Sequence, residues 1–295
     1  MTKLASRLLI FFVGIPVVIA VIVIPFCNHL PLHALICAVC ALASSELHDL
    51  FSHKTKLLPK PLVVFCAILP PLAAAAYAIL PSMTGFQFRV GGEIITLSYA
   101  VSVLLCLAAE VFGADEFSLS NFRISSSVFI LTYTGFSLTF VSRMSVWKLD
   151  GKSAIVPLLC AFALMVFMCD SLAWFFGVLF GKNNKGIAKA SPNKSVAGFL
   201  GGFAGSVVAA LLCRYIWQDV FWGSPLKAVA AGLCIAFSSV TGDLAESVFK
   251  RSAEIKDSGS IVPGRGGMLD SVDSIVMSAP VFYLLTSLFW GPFTT

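Results

Sequence analysis

Nine long apolar runs take up most of this chain, and they leave little with which to coat a water-soluble fold. They fall at about 8–26, 31–46, 61–81, 95–113, 124–142, 153–180, 196–217, 226–249 and 272–291. A helix that crosses a bilayer needs roughly 20 predominantly apolar residues, so the runs predict about nine transmembrane helices. Charge supports the same reading. Only 12% of the 295 residues are Asp, Glu, Lys or Arg, against roughly 25% in soluble domains. A cytosolic enzyme and a disordered chain are both excluded, and the expected fold is an all-α polytopic integral membrane protein. The first run is too long for the apolar core of a signal peptide and no small-residue cleavage site follows it, so it is expected to be retained.

The net charge of +5 suits loops lying beside anionic lipid. It is too diffuse for a nucleic-acid binder. Placing the N-terminus inside puts Lys54, Lys56 and Lys60 inside, with Lys182, Lys185, Lys189 and Lys194 and the charged stretch near 250–270, as the excess of Lys and Arg in cytoplasmic loops requires. Arg143, Lys148 and Lys152 run against the pattern. The nine cysteines lie mostly inside apolar runs and read as small buried hydrophobes. Cys37 and Cys40 form a C-x-x-C, but without the second pair a metal site needs. The expected organisation is a set of N-terminal membrane helices over 1–150 and a catalytic membrane region over 151–295. The catalytic region carries cytoplasmic loops at 181–195 and 250–271.

Residues 241–273 stand apart, with ten charged side chains in 33 positions. Charge inside a span is costly, on the order of 2.5–3.5 kcal/mol at its centre, so acids kept in or near spans point to function. Asp243, Glu246, Ser247, Lys250 and Arg251 recur at the spacing of one helical face. That stripe reads either as an amphipathic helix end with ion pairs or as carboxylates for a cation beside cations for a phosphate. Lys256 and Asp257 follow, then Pro263-Gly264-Arg265-Gly266-Gly267. The glycines permit close backbone approach and outward N–H groups that bind anions, although helix connections use glycine as well. Asp270 and Asp273 open the last run, where acids also suit the helix dipole. Carboxylates with no Cys or His among them favour a hard cation such as Mg²⁺.

A second polar cluster spans 169–202. Asp170 and Ser171 lie deep in an apolar run, and Asp170 should face the protein interior or water. Ser191, Lys194 and Ser195 follow, and Gly198, Gly201 and Gly202 suit either a ligand or close helix packing. Together these parts read as Mg²⁺-assisted phosphoryl or nucleotidyl transfer to a lipid at the membrane face. A secondary transporter is the alternative of another class; it should place its acids near mid-span and show repeated halves.

The order and spacing of Ser247-x2-Lys250-Arg251-x4-Lys256-Asp257-x5-Pro263-Gly264-Arg265-Gly266-Gly267-x2-Asp270-Ser271-x-Asp273 closely resemble the C-terminal signature of the phosphatidate cytidylyltransferases. Upstream, Asp170-x4-Phe175-Phe176-Gly177-x2-Phe180-Gly181-Lys182 and Ser191-Pro192-Asn193-Lys194-Ser195-x2-Gly198 are similar to two further stretches of that family. Arg265, Ser271, Ala197 and Ser195 stand where the family has His, Arg, Glu and Thr. The resemblance implies transfer of CMP from CTP to phosphatidic acid, giving CDP-diacylglycerol and pyrophosphate. It implies Mg²⁺ on Asp243 and Asp270 with Asp273 close by. Lys250, Arg251 and Lys256 would bind phosphates, and Asp257 would support the metal or orient a lysine. Ser191, Lys194 and Ser195, with Ser247 and the turn Gly264, Arg265, Gly266 and Gly267, would line the substrate site. It also implies a homodimer and, in a bacterium, an inner-membrane enzyme whose site faces the cytoplasm. A CTP-dependent transferase or kinase acting on another lipid is the alternative within the same chemistry.

Overall fold

The computed structural model describes residues 14–86, 88–262 and 266–294. Lys3, Arg7 and the start of the first apolar run lie outside the described residues; the described part of that run forms α1 (Ile15–Val23). Then follow α2 (Leu30–Ser52), α3 (Lys60–Thr84), α4 (Glu93–Gly113), α5 (Ser120–Met144), α6 (Ile155–Phe180), α7 (Val196–Ile216), α8 (Pro225–Ser252) and α9 (Leu269–Trp290). Among the described residues, eight helices, α2 to α9, are long and apolar enough to cross a membrane, and they coincide with the second to ninth runs. The all-α membrane architecture read from the sequence is the one observed, and nine stands as an approximate span count.

The chain forms two compact units. The first comprises Met1–Arg143 with Ser252–Val272, and the second Met144–Arg251 with Asp273–Thr295.

In the first unit, α3 packs against α2, α4 and the middle of α5. Pro70 and Pro71 sit inside α3. A proline lacks the N–H that would bond the carbonyl four residues back, so Pro71 frees the Ala67 carbonyl. The buried Cys40 thiol of α2 donates to that oxygen at 3.3 Å. Gly135 lies in a π-helical segment of α5, Leu131–Phe136, pressed so closely on Ala67 that a side chain there would strike its carbonyl. The orphaned backbone group thus becomes the point where three helices meet. Near the α4–α5 connection, the Arg123 guanidinium grips the Glu110 carboxylate with Nε at 2.9 and 3.0 Å.

In the second unit, α6 and α7 pack along a strip of glycines. A Cβ on Gly198 would lie 2.8 Å from the Ala173 oxygen, one on Gly201 2.6 Å from Phe176 Cβ, and one on Gly205 2.5 Å from the Met168 oxygen. Small residues are how membrane helices bring their backbones together when lipid supplies no hydrophobic drive. Gly232 serves α8 against α7 in the same way, and Gly242 serves α8 against Asp273 on α9. Cys169, Ala236 and Val240 fill the space between, with Phe199, Phe203 and Leu244 around them. Before α6, Lys148–Leu149 (β1) pairs antiparallel with Lys152–Ser153 (β2). Asp150 and Gly151 join them with φ of 50° and 76°, the left-handed pair that a two-residue hairpin turn requires. This ribbon occupies the loop whose lysines break the charge pattern.

Candidate active site

The second unit gathers three carboxylates and an ammonium. Asp170 comes from α6, Asp243 from α8, and Asp273 from the second turn of α9; Lys194 precedes α7. Lys194 Nζ pairs directly with Asp243 Oδ2. Asp243, Asp170 and Lys194 all lie within electrostatic reach of the Asp273 carboxylate. Asp273 is buried and accepts from the Ser274 N–H at 2.6 Å. Asp170 Oδ1 accepts a long 3.4 Å bond from the Ser239 hydroxyl. The close approach of α8 to α9 at Gly242 sets Asp243 one residue away from the backbone contact with Asp273. Asp170 sits ten residues before the end of α6, about 15 Å at the helical rise, and is exposed, with the Ser239 hydroxyl beside it.

The flanking loop residues have more structural duties than the sequence shows. Ser195 is the N-cap of α7, its hydroxyl accepting from the Gly198 N–H at 3.1 Å. Such a cap satisfies one of the free donors of a helix start. Ser191 closes a turn, its N–H bonded to the Ala188 carbonyl at 3.0 Å. Lys250 pairs at 2.5 Å with the buried Glu246 one turn earlier on α8, the ion-pair reading of that stripe. Arg251 Nε reaches the Ala190 carbonyl at 3.4 Å, tying the end of α8 to the loop before α7. Ser247 is half-buried on α8.

In the first unit, the segment after α8 folds around Asp270. Its Oδ2 accepts three bonds, from Ser258 N at 3.0 Å, Ser258 Oγ at 2.9 Å and Gly267 N at 2.8 Å. Val262 and Gly266 exchange both backbone hydrogen bonds, at 2.8 and 3.1 Å. These bonds join the two residues that flank 263–265 of the glycine-rich stretch, and Gly266 takes φ 111°, open to glycine alone without strain. Gly264 and Arg265 of that turn lie outside the described residues. Asp257 is exposed and lies beside Gly266; Lys256 is exposed too. The Ser271 hydroxyl bonds the Gly267 carbonyl at 3.2 Å.

Two acids outside the candidate set belong in this account. Asp170 has its signal in the sequence, as a carboxylate placed far inside an apolar run. Glu46 has a fainter one, as the acid that closes the second run; it reaches the backbone at the start of α9.

A hard cation fits the donor chemistry of the second-unit cluster, which offers carboxylate oxygens, and the Lys194 ammonium already sits as a positive charge on Asp243. Among the described residues no three His, Cys, Asp or Glu side chains form a ready-made metal cage. Mg²⁺ does not need one, because it is usually bound through one or two carboxylates, waters and substrate phosphates.

Comparison with known proteins adds an independent finding. The Cytidylyltransferase family model matches residues 5–289. The phosphatidate cytidylyltransferase of Thermotoga maritima is 28% identical over 218 residues, covering 72% of this chain and 76% of that protein. That of Synechocystis sp. is 36% identical over 131 residues, 44% of this chain and 43% of that protein. That of Brucella abortus is 37% identical over 163 residues, 55% of this chain and 57% of that protein. The matched part is thus about three quarters of the first relative and about half of the other two.

Proposed function

Since the chain belongs to the cytidylyltransferase family, matched from residue 5 to residue 289, we propose that it transfers CMP from CTP to phosphatidic acid, releasing pyrophosphate and giving CDP-diacylglycerol. The observation that carries this reading is the Asp170, Asp243, Asp273 and Lys194 cluster on membrane helices of such a chain. A phosphate oxygen of phosphatidic acid attacks the α-phosphorus of CTP, and the bond to the bridging oxygen of the β-phosphate breaks. The nucleophile is already ionised at neutral pH, so no strong general base is required. This agrees with a cluster of acids and a lysine that contains no histidine.

Asp243, Asp270 and Asp273 are the carboxylates proposed to hold Mg²⁺. When bound, the ion would neutralise charge on the α-phosphate and the departing pyrophosphate. Lys194 counters the charge of Asp243 before substrate arrives and can turn to a phosphate oxygen afterwards. Lys250, steered by Glu246, and Arg251 and Lys256 supply further positive charge for the triphosphate or the phosphatidate head. The basic loops 181–195 and 250–271 suit the cytoplasmic side of a bacterial inner membrane, where CTP is found. A homodimer, implied by the family resemblance, completes the reading.

The test is pyrophosphate release from CTP by the detergent-purified chain, with phosphatidic acid and Mg²⁺ each supplied or withheld. Release that needs both is expected. Transfer of the γ-phosphate, or turnover with a polyprenol in place of phosphatidic acid, would replace this reading with a kinase or transferase acting on another lipid.

A further inference from the structure

Glu46 is a buried acid on α2 that the chemistry above does not use, 5% exposed. Its Oε1 accepts from the Met268 N–H at 2.9 Å and its Oε2 from the Leu269 N–H at 2.8 Å. Those are donors of the start of α9, which have no partner within the helix. Oε2 also lies 3.2 Å from the Ser258 hydroxyl. The same hydroxyl lies 2.9 Å from Asp270 Oδ2. A serine hydroxyl has one proton to donate, so Glu46 and Asp270 compete for it.

The backbone is shaped to the Glu46 carboxylate. A Cβ on Gly259 would lie 2.5 Å from Oε1, and one on Gly267 would collide with both the carboxylate and Ser258. Two glycines of this segment are therefore needed to admit Glu46, apart from any anion the turn binds. A buried carboxylate is costly unless it is hydrogen-bonded. Here two backbone donors, a hydroxyl and the positive end of the α9 dipole stabilise it.

We infer that Glu46 is a positioning residue for Asp270: by fixing Met268, Leu269 and Ser258 it holds the Asp270 carboxylate in one orientation. Its kinetic consequence rests on the reaction proposed above; its structural consequence does not.

The experiment compares the full-length wild type with Glu46→Gln and Glu46→Asp in detergent. It reads kcat, the KM for CTP, and amide hydrogen exchange. Glutamine sets an N–H donor against one of the two helix N–H groups. Its kcat should fall on the order of 100-fold, the cost of misplacing a reacting group by about 1 Å, with the KM for CTP little changed. Exchange should quicken at Met268 and Leu269 while α3 and α4 keep their protection. Aspartate still presents two acceptors and should recover part of the lost kcat. A kcat for Glu46→Gln equal to wild type overturns the inference. So does a loss of protection spread evenly over every helix, or a change confined to KM. If Glu46→Gln does not fold, Ser258→Ala decides: a fall in kcat of about tenfold at constant KM supports the inference, on the scale of one hydrogen bond to a charged group, and an unchanged kcat overturns it. Should the wild type itself fail to turn over, the reaction is wrong, and exchange at Met268 and Leu269 still decides the role of Glu46.

Discussion

Two pairs of acids, Glu46 and Asp270 in the first unit and Asp170 and Asp243 in the second, are held in opposite ways. In the first unit Glu46 and Asp270 are satisfied mainly by backbone N–H groups and one serine. In the second, Asp243 pairs with the side chain of Lys194, and Asp170 accepts a long bond from a serine hydroxyl. Backbone donors cannot leave without unfolding a turn. A lysine on a flexible stem can. The first arrangement therefore suits acids that hold a loop in shape, and the second suits acids that exchange one positive charge for another. Asp270 belongs to the first kind by its bonds and to the proposed metal ligands by its place in the signature, which makes it the sharpest test of the distinction.

Asp243→Asn should produce the largest effect on turnover, a loss on the order of 10³-fold, as removal of a metal-binding carboxylate implies. Helix content and the thermal midpoint should stay near wild type, because among the described residues Asp243 is paired with a lysine side chain and with no backbone group. Asp270→Asn should lose turnover comparably, but it should also quicken amide exchange at Ser258 and Gly267, whose N–H groups it accepts. Equal exchange in the two variants would remove the difference drawn here. Turnover near wild type in either would remove that residue from the metal site.

Lys194→Ala separates the roles of the lysine by sign. If the ammonium occupies Asp243 until a divalent cation arrives, its removal should tighten Mn²⁺ binding in the absence of nucleotide, read by electron paramagnetic resonance. CTP turnover should still fall roughly tenfold, the scale of one lost charge-assisted contact. Weaker Mn²⁺ binding would mean that Lys194 supports the metal site instead of competing with it.

Packing in the second unit gives a smaller expected effect, on stability. Gly201→Leu places a branched side chain where even a Cβ would lie 2.6 Å from Phe176. Overfilling of this kind typically costs 1–3 kcal/mol, so the thermal midpoint should drop while the first unit keeps its exchange protection. A midpoint equal to wild type would show that α6 and α7 have room to part.

Much of this was legible in the residues. The apolar runs marked α2 to α9 because a bilayer imposes both length and composition. Asp170, Asp243 and Asp273 stood out because charge near a span is rare, and Gly198, Gly201 and Gly202 were readable as close packing. The signature over 247–273 carried the family before any geometry. Other features were hidden for one reason: their partners are distant in sequence. Glu46 meets Leu269 across 223 positions. Cys40 meets the carbonyl freed by Pro71 across two helices. The Asp150-Gly151 turn is a local signal, but its flanking strands, two residues each, are too short to show the alternation that marks a hairpin.

Ser195 carries the smallest prediction, and one that a substrate-binding role would contradict. The resemblance puts it in the substrate site, yet its side chain caps α7 and is 4% exposed. A cap residue replaced by alanine costs about 1 kcal/mol. Ser195→Ala should therefore lower the thermal midpoint by a few degrees and leave the KM for CTP and for phosphatidic acid unchanged. Its hydroxyl also packs against Gly177 and Gly181 at the end of α6, so the loss should register as a looser α6–α7 contact, with faster exchange at Gly198. A several-fold rise in either KM with the midpoint unmoved would mean that the hydroxyl leaves the helix and turns to the substrate during turnover. Ser195 would then join Lys194 among the side chains that change partner, instead of standing with the fixed donors that frame them.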